Sequence, residues 1–496
     1  MGHVLAVAFP STVLIATAFA VALAGLLQYR LAARTSPQMK VAVAIFIIGF
    51  GALLSVALTQ RNLNDSAPGQ SGVILYEDFA SGFTASRWIS LALIGTALIE
   101  IIRGFLRRRV AATADPAWPL VASMLIFYLG TVLVQGTLSE HIGFSHQELY
   151  LPIVLLAVYY QPVRDLGLIL GAAKLIVLAL TLGSLLGIAV RPDFVMHRPE
   201  AGIIPGVDWR LFGLTTHANT LGPVALLGVL LELYSPSRRK WLGRLSICAA
   251  IAVLVLAQSR TAWVAAALIA VLICVPLAIA PKRGSADERK GFSRAVWTLT
   301  GCILLLIALA VGMTALGGFR DTDLQADLGT LNGRFLIWDI TLDAWRENVL
   351  FGYGPKIWGA ERQLRFNMFH VGHAHNQFLQ TLGEAGLVGL LLLTIQLMAL
   401  FYAACRQFVL TRGFVLSLLL LLLARCVTEA PLRSEGLLSW AAFVQVLLLA
   451  VACHHMRQPA DALTSCAKSL PLPDEGAGQK KWRPSRFSIN LGGSTT

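Results

Sequence analysis

The chain has 496 residues, 56% of them hydrophobic and only 14% charged, with a formal net charge of +13. A soluble globular protein would carry more charge and shorter apolar runs, and many runs here reach the ~20 residues that cross a bilayer as helix. The basic residues gather in short loops between those runs, a membrane-orientation pattern, so the positive charge does not argue for nucleic acid.

The expected fold class is all-α: a polytopic integral membrane protein with about 12–13 transmembrane helices and one large extracytoplasmic loop containing short helices. In chain order the apolar runs are 4–27, 41–59, 88–104, 118–137, 148–160, 166–190, 212–233, 242–257, 261–280, 296–316, 383–404, 413–428 and 438–453. The first is read as a retained helix and not a signal peptide, because no basic region precedes it and no polar stretch begins before Gln28. The basic loops 29–40, 103–109, 235–244, 281–294 and 405–412 all fall on one side when the spans are threaded alternately, and that side is the cytoplasm by the positive-inside rule. Loops 60–87, 138–147, 191–211, 258–260, 317–382 and 429–437 then face outward. Residues 1–200 form an N-terminal set of helices, 201–410 a functional core, 411–455 the last helices, and 456–496 a disordered cytoplasmic tail rich in Pro, Gly, Ser and Lys. The cysteines lie in apolar runs, at helix ends or in the tail, so no disulfide framework is expected.

The outward loops hold the motifs. "QSRTAW" (258–263) puts Arg260 at the junction of two apolar runs. In the loop 317–382, Phe335, Trp338, Leu342 and Trp345 recur at helical spacing, which predicts an amphipathic helix on the membrane surface, ended by "FGYG". "HVGHAHNQFLQTLGEAGLVGLLLL" starts polar and becomes a membrane helix, where Gly383, Gly386 and Gly389 predict a smooth stripe for close helix contact.

The pattern His375-Asn376, nine residues, Gly386, two residues, Gly389 resembles the signature of the bacterial O-antigen ligase and polymerase superfamily. "SRTAW", "GR…IWD" and "GLTTHANTLG" (213–222) are similar to further markers of that family, and the resemblance covers roughly residues 205–410. It implies a GT-C type membrane glycosyltransferase in the bacterial inner membrane, with its active site facing the periplasm. Such enzymes move a glycan from undecaprenyl pyrophosphate to an acceptor hydroxyl, with no cofactor and no metal.

That chemistry needs a base on the acceptor and positive charge on the departing pyrophosphate at the membrane surface. Arg260 fits the second need: a guanidinium fork binds phosphate oxygens bidentately, and the N-terminal end of its helix adds positive potential. The plain alternative is a snorkelling interface arginine. Ser259 is expected to cap that helix. Arg334 takes the family's role of second pyrophosphate clamp, or is a surface charge. Arg210 is a third candidate cation. His375 is the candidate base, since imidazole titrates near neutral pH. Asn376 is expected to orient a sugar or cap a helix, and His217 and Asn219 to contact substrate or pack. Arg425, inside an apolar run, and Glu429, four residues on, are substrate-binding candidates.

Other chemistries fit parts of this pattern. His370, His373 and His375 are spaced as possible zinc ligands, but no carboxylate or cysteine stands beside them in sequence, so no metal is expected. Asp339 and Asp343 are four apart, as hydrolase carboxylates or an ordinary polar helix face would be, with Arg346 as a partner. "FGYGPKIWG" and the early outer loop resemble exopolysaccharide polymerases, so the favoured reading is polymerisation of exopolysaccharide or O-antigen repeats. The alternatives are an O-antigen ligase joining polymer to the lipid A-core of lipopolysaccharide, a protein O-oligosaccharyltransferase and, from another class, a polysaccharide or lipid transporter, which would show mid-membrane polar residues and an internal repeat. The expected partners are the lipid-linked glycan, an acceptor glycan or glycolipid, the bilayer, and a flippase and chain-length regulator sharing the membrane.

Overall fold

The computed structural model describes residues 36–59, 63, 74–108, 115–198, 204, 206–279, 334–366, 368, 371–408, 410–433 and 436–458. The expected spans 4–27 and 296–316, the basic loop 281–294, His370 and nearly all of the tail lie outside them.

The chain is a helical membrane protein. The first helices in order are α1 (Pro37–Ala57), α2 (Ile74–Arg108), α3 (Trp118–Thr137), α4 (Tyr150–Tyr159), α5 (Gly167–Val190), α6 (Ala218–Tyr234), α7 (Lys240–Leu256) and α8 (Arg260–Ile279). After the undescribed stretch come two helices of the large loop, α9 (Arg334–Glu347) and α10 (Ala360–Phe366), then α11 (Gln377–Arg406), α12 (Phe414–Thr428) and α13 (Trp440–Met456). Among the described residues, 5 helices are long and apolar enough to cross a membrane: α1, the 86–106 part of α2, α3, α5 and α11. α6, α12, α13 and the described part of α8 are shorter apolar helices. A helix satisfies its own backbone where no water can, which is why these apolar runs fold this way. Their ends follow local rules: Ser36 caps α1 ahead of Pro37, and the Ser439 hydroxyl accepts from the amide of Ala442 at the start of α13. The outside of the bundle stays apolar, with Leu133, Leu186 and Val190 exposed by 63%, 66% and 76%, as a lipid-facing surface should be.

Successive membrane helices alternate in direction, and contacts between their ends sort them into two faces. Lys40, Glu100 and Gln161 meet at one end, where Arg457 also bonds Asp115 and the Gln161 carbonyl. Arg210, Asn219, His375 and Glu429 meet at the other. An antiparallel pair, β1 (Met196–His197) with β2 (Arg210–Leu211), closes the loop before α6 at this second end. Strands two residues long carry no periodicity, so the sequence gives no sign of them.

The large loop folds onto the second end around its own small core of Ile337, Ile340, Ala344, Tyr353, Ile357, Trp358, Val371 and Ala374. α9 packs on this core through a stripe other than the aromatic one. Its buried stripe is Ile337, Ile340, Thr341 and Ala344, while Phe335 is 45% exposed and Trp338 half-buried. The helix packs on α11 and its own loop as well as presenting aromatics outward. Asp343 pairs with Arg346 on the exposed side, an ordinary polar helix face.

α11 begins at Gln377, before the expected start of the run at 383, because Asn376 caps it: its Oδ1 accepts from the amides of Phe378 (2.9 Å) and Leu379 (3.1 Å). It breaks at Gly386, whose φ is 62°. Into the break comes the backbone of the Phe351-Gly352-Tyr353-Gly354 stretch. Leu387 and Val388 donate to the carbonyls of Val349 and Leu350, and Tyr353 donates to that of Gly383. A Cβ on Gly386 would stand 2.4 Å from Leu350 C and O, and one on Gly352 would stand 2.6 Å from the amide nitrogens of Ala385 and Gly386. The expected stripe for helix–helix contact is kept at Gly383, beside Thr341 of α9, and corrected at Gly386 and Gly389. Gly383 faces Thr341 and Ile357, Gly386 faces loop backbone, and Gly389 faces Ala385 and Thr381 of its own helix.

Candidate active site

Glu429 gathers the polar residues of the second end. It is the C-cap of α12, where the carbonyl end of a helix makes a carboxylate unfavourable unless donors and positive charge answer it. Imidazole and amide donors and one guanidinium do so. His375 Nδ1 lies 3.2 Å from Glu429 Oε2, His373 Nε2 lies 3.5 Å from the same oxygen, and Arg334 Nη2 lies 3.9 Å from Oε1. Asn219 Nδ2 donates to Oε1 at 3.1 Å. Burial pushes the Glu429 carboxyl up, but the His375 hydrogen bond, the charges of His375 and His373 and the Asn219 bond together outweigh it and hold the group at about 2.

The cations continue outward from this carboxylate. Arg210 donates from Nη2 to Asn219 Oδ1 (3.0 Å) and from Nε to the Ala257 carbonyl (3.3 Å). Burial and then the neighbouring Arg260 charge lower the Arg210 pKa. Arg260 itself is exposed at the first turn of α8, with Ser259 Oγ accepting from the Ala262 amide at 3.4 Å, the expected cap. Next to it Thr261 and Thr428 hydroxyls meet at 3.1 Å, tying the start of α8 to the end of α12. Arg260, Arg210, Arg334, Asn219, His375 and Glu429 are thus linked around one place.

His217 caps α6 through Nδ1, which accepts from the Asn219 amide at 3.0 Å. Burial drives this imidazole down to about 4 despite the pull of Glu429, with Arg210, His375 and His197 adding to the fall. It is neutral at physiological pH and positions Asn219. Arg425, one turn before Glu429, borders a small apolar pocket with Pro223, Leu422 and Val444.

The loop carrying His375 is gripped by side chains. Gln363 and Trp338 donate to the carbonyls of Val371 (2.9 Å) and Ala374 (3.0 Å), and Gln380 accepts from the Ala374 amide (2.6 Å). Arg433 donates to the Gly372 carbonyl at 2.7 Å and to Glu384 at 2.9 Å. His375 is held at φ 49°, in the left-handed region that costs a non-glycine residue of order 1 kcal/mol or more. Near Arg433, burial and then the Glu384 charge push the Glu148 carboxyl up to about 7 against the pull of Arg433.

The ligand atoms of His373, His375 and Glu429 lie within 4.8 Å of one another, so the fold supplies the carboxylate that was missing beside the histidines in sequence. Hydrogen bonding favours a protonic reading of this trio. His373 Nδ1 accepts from the His375 amide at 3.1 Å, so the neutral ring carries its proton on Nε2, toward Glu429, and offers no lone pair there. By the same logic His375 donates Nδ1–H to ionised Glu429, and its Nε2 lone pair is the one left to take a proton.

Sequence reasoning named Glu429 as a substrate-binding candidate but not as the hub, and it missed Gln258, Gln363 and Gln380. Gln258 is fully buried at φ 48°; its Oε1 accepts from the Ile204 amide and its Nε2 donates to the Trp209 carbonyl, fixing the approach to Arg210. A carboxylate at the C-terminal end of a membrane helix was the one available signal for Glu429.

Fold and site together define a multi-pass membrane protein with a carboxylate-anchored histidine among arginines at one membrane face. Residues 245–394 match the family model described as O-antigen ligase, a segment holding Arg260, Arg334, His375 and the α11 break, and this match supports the O-antigen ligase/polymerase superfamily. No curated protein matches the chain.

Proposed function

We propose that the chain transfers a glycan from undecaprenyl pyrophosphate to an acceptor hydroxyl on the periplasmic side of the inner membrane, polymerising exopolysaccharide or O-antigen repeats. The observation that carries this is the Glu429–His375 pair set among Arg210, Arg260 and Arg334. His375 Nε2 takes the proton of the acceptor hydroxyl while Nδ1–H stays on Glu429, which stabilises the imidazolium as it forms. The acceptor oxygen bonds to the anomeric carbon as the bond to pyrophosphate breaks. Direct displacement inverts that carbon. The leaving pyrophosphate, tethered by its lipid at the surface, is met by Arg260 and Arg334, with Arg210 behind them, and no metal is needed. Asn219 and His217 position Arg210 and Glu429; Asn376 fixes the start of α11.

The ligase reading keeps its place because the matching family model is described as a ligase. A strain lacking the chain and carrying His375→Ala decides among readings. Loss of polymer with single repeats left on lipid supports polymerase. Full-length polymer on its carrier above a bare core supports ligase. Wild-type surface glycan from normally produced variant overturns the proposed base.

A further inference from the structure

At the opposite face from Glu429, a cleft opens between α1, α2 and the end of α4, with a cavity of about 80 Å³. Its walls are apolar and small: Ala44, Leu93, Ala97, Val154 and Ala157. One end is closed by Lys40, Glu100, Arg103 and Gln161. Glu100 accepts from Lys40 Nζ at 2.8 Å, Arg103 Nη1 at 2.9 Å and Gln161 Nε2 at 3.1 Å. All three charged side chains lie inside candidate membrane spans, and their exposures are only 14% for Lys40, 13% for Glu100 and 31% for Arg103. Lys40 and Arg103 border the basic loops at this face, and charges withdrawn from solvent beside apolar spans are costly unless partnered.

An ion-pair knot joining α1 to α2 would need one cation for its carboxylate. Here two cations share one carboxylate, leaving a net positive charge. An ammonium has three N–H groups and a guanidinium five. Among the described residues each gives one hydrogen bond to Glu100, so donors remain on both. Away from these charges the walls are mostly apolar, which suits a lipid chain better than water.

We propose that this cleft binds one anionic phospholipid from the leaflet at that face. An acyl chain lies against the alanine-lined walls. The headgroup phosphate accepts from Lys40 and Arg103, while Glu100, itself held by Gln161, sets the spacing of the two cations. Net positive charge selects an anionic over a zwitterionic headgroup, since an added ammonium or choline is repelled. The site is separate from the residues assigned to glycan transfer, so its failure would leave that reading untouched.

The test is native mass spectrometry of the detergent-purified full chain with added phosphatidylglycerol, phosphatidylcholine or undecaprenyl phosphate. The wild type is expected to retain one phosphatidylglycerol, preferred over phosphatidylcholine about fivefold or more, the scale of one net surface cation acting on an anionic lipid. Lys40→Gln with Arg103→Gln removes the preference. Ala44→Leu fills the cleft and lowers retention with both charges intact, so it decides the matter if the double variant folds poorly. Equal retention of the two phospholipids by wild type, retention unchanged in Ala44→Leu, or a preference for undecaprenyl phosphate overturns the proposal.

Discussion

Replacing Glu429 by Gln keeps the shape of the side chain and removes its charge. In the native protein the group sits at about 2 against an ordinary carboxylate value of 4.5. At about 1.4 kcal/mol per pKa step, that difference is about 3 kcal/mol of preference for the ionised form, supplied chiefly by His375, His373 and Asn219. The same coupling favours the imidazolium of His375 during proton transfer, so its loss predicts a fall in turnover of about 10²-fold. A glutamine can also donate to His375 Nδ1, which would move the ring proton to Nε2 and leave no base facing the acceptor. The assay is extension of a purified lipid-linked repeat by the variant in proteoliposomes, with protein amount matched. Activity within a factor of about 3 of wild type, less than 1 kcal/mol, would refute the reasoning. The sign of the pH effect on stability follows from the same depressed pKa. The Glu429 contribution is complete above pH 4.5 and is lost as pH falls toward 2, so the wild type loses stability over that window faster than Glu429→Gln does.

Three further outcomes are expected. Arg260→Lys keeps the charge but loses the guanidinium fork, so turnover at sub-saturating donor should drop about tenfold, read from the donor-concentration dependence in the same vesicles; an unchanged curve would remove Arg260 from the pyrophosphate site. Gly386→Ala puts a Cβ 2.4 Å from the Leu350 carbonyl at a φ of 62° and should cost about 1–3 kcal/mol or more, seen as a lowered melting temperature in detergent; an unaltered melt would contradict the docking of the loop into the α11 break. Glu148 is raised to about 7, so it penalises folding progressively as pH climbs from 4.5 through 7. Glu148→Gln should therefore gain stability relative to wild type at pH 8 compared with pH 5, and parallel melting profiles across that range would show the shift to be absent.

The helices were readable because an apolar run long enough to cross a bilayer has few other ways to satisfy its backbone. Arg260, Arg334 and His375 stood out as charged or titratable groups beside such runs. Their meeting point did not, because Glu429 reaches His375 across 54 residues and Asn219 across 210, and contacts that distant leave no periodicity to read. The glycines of α11 were visible but their purpose was not: spacing alone cannot tell a surface for another helix from a notch that admits loop backbone. For α9 the aromatic spacing marked the helix, but not its second, protein-facing stripe, since Ile337, Ile340 and Ala344 answer to a local core made by residues up to 374. Nothing near Gln258 in sequence shows that its amide would be spent on the Ile204–Trp209 backbone.

The most direct measurement follows both products of a single turnover. Purified chain in liposomes is given labelled undecaprenyl-pyrophosphate-linked repeat, and wild type is compared with His375→Ala. Glycan transfer at this site predicts that each new glycosidic bond is matched by one released undecaprenyl pyrophosphate, and that His375→Ala yields neither at the wild-type rate. Intact lipid-linked repeat crossing the membrane with no bond made, in wild type and variant alike, would contradict a transferase and indicate a transporter.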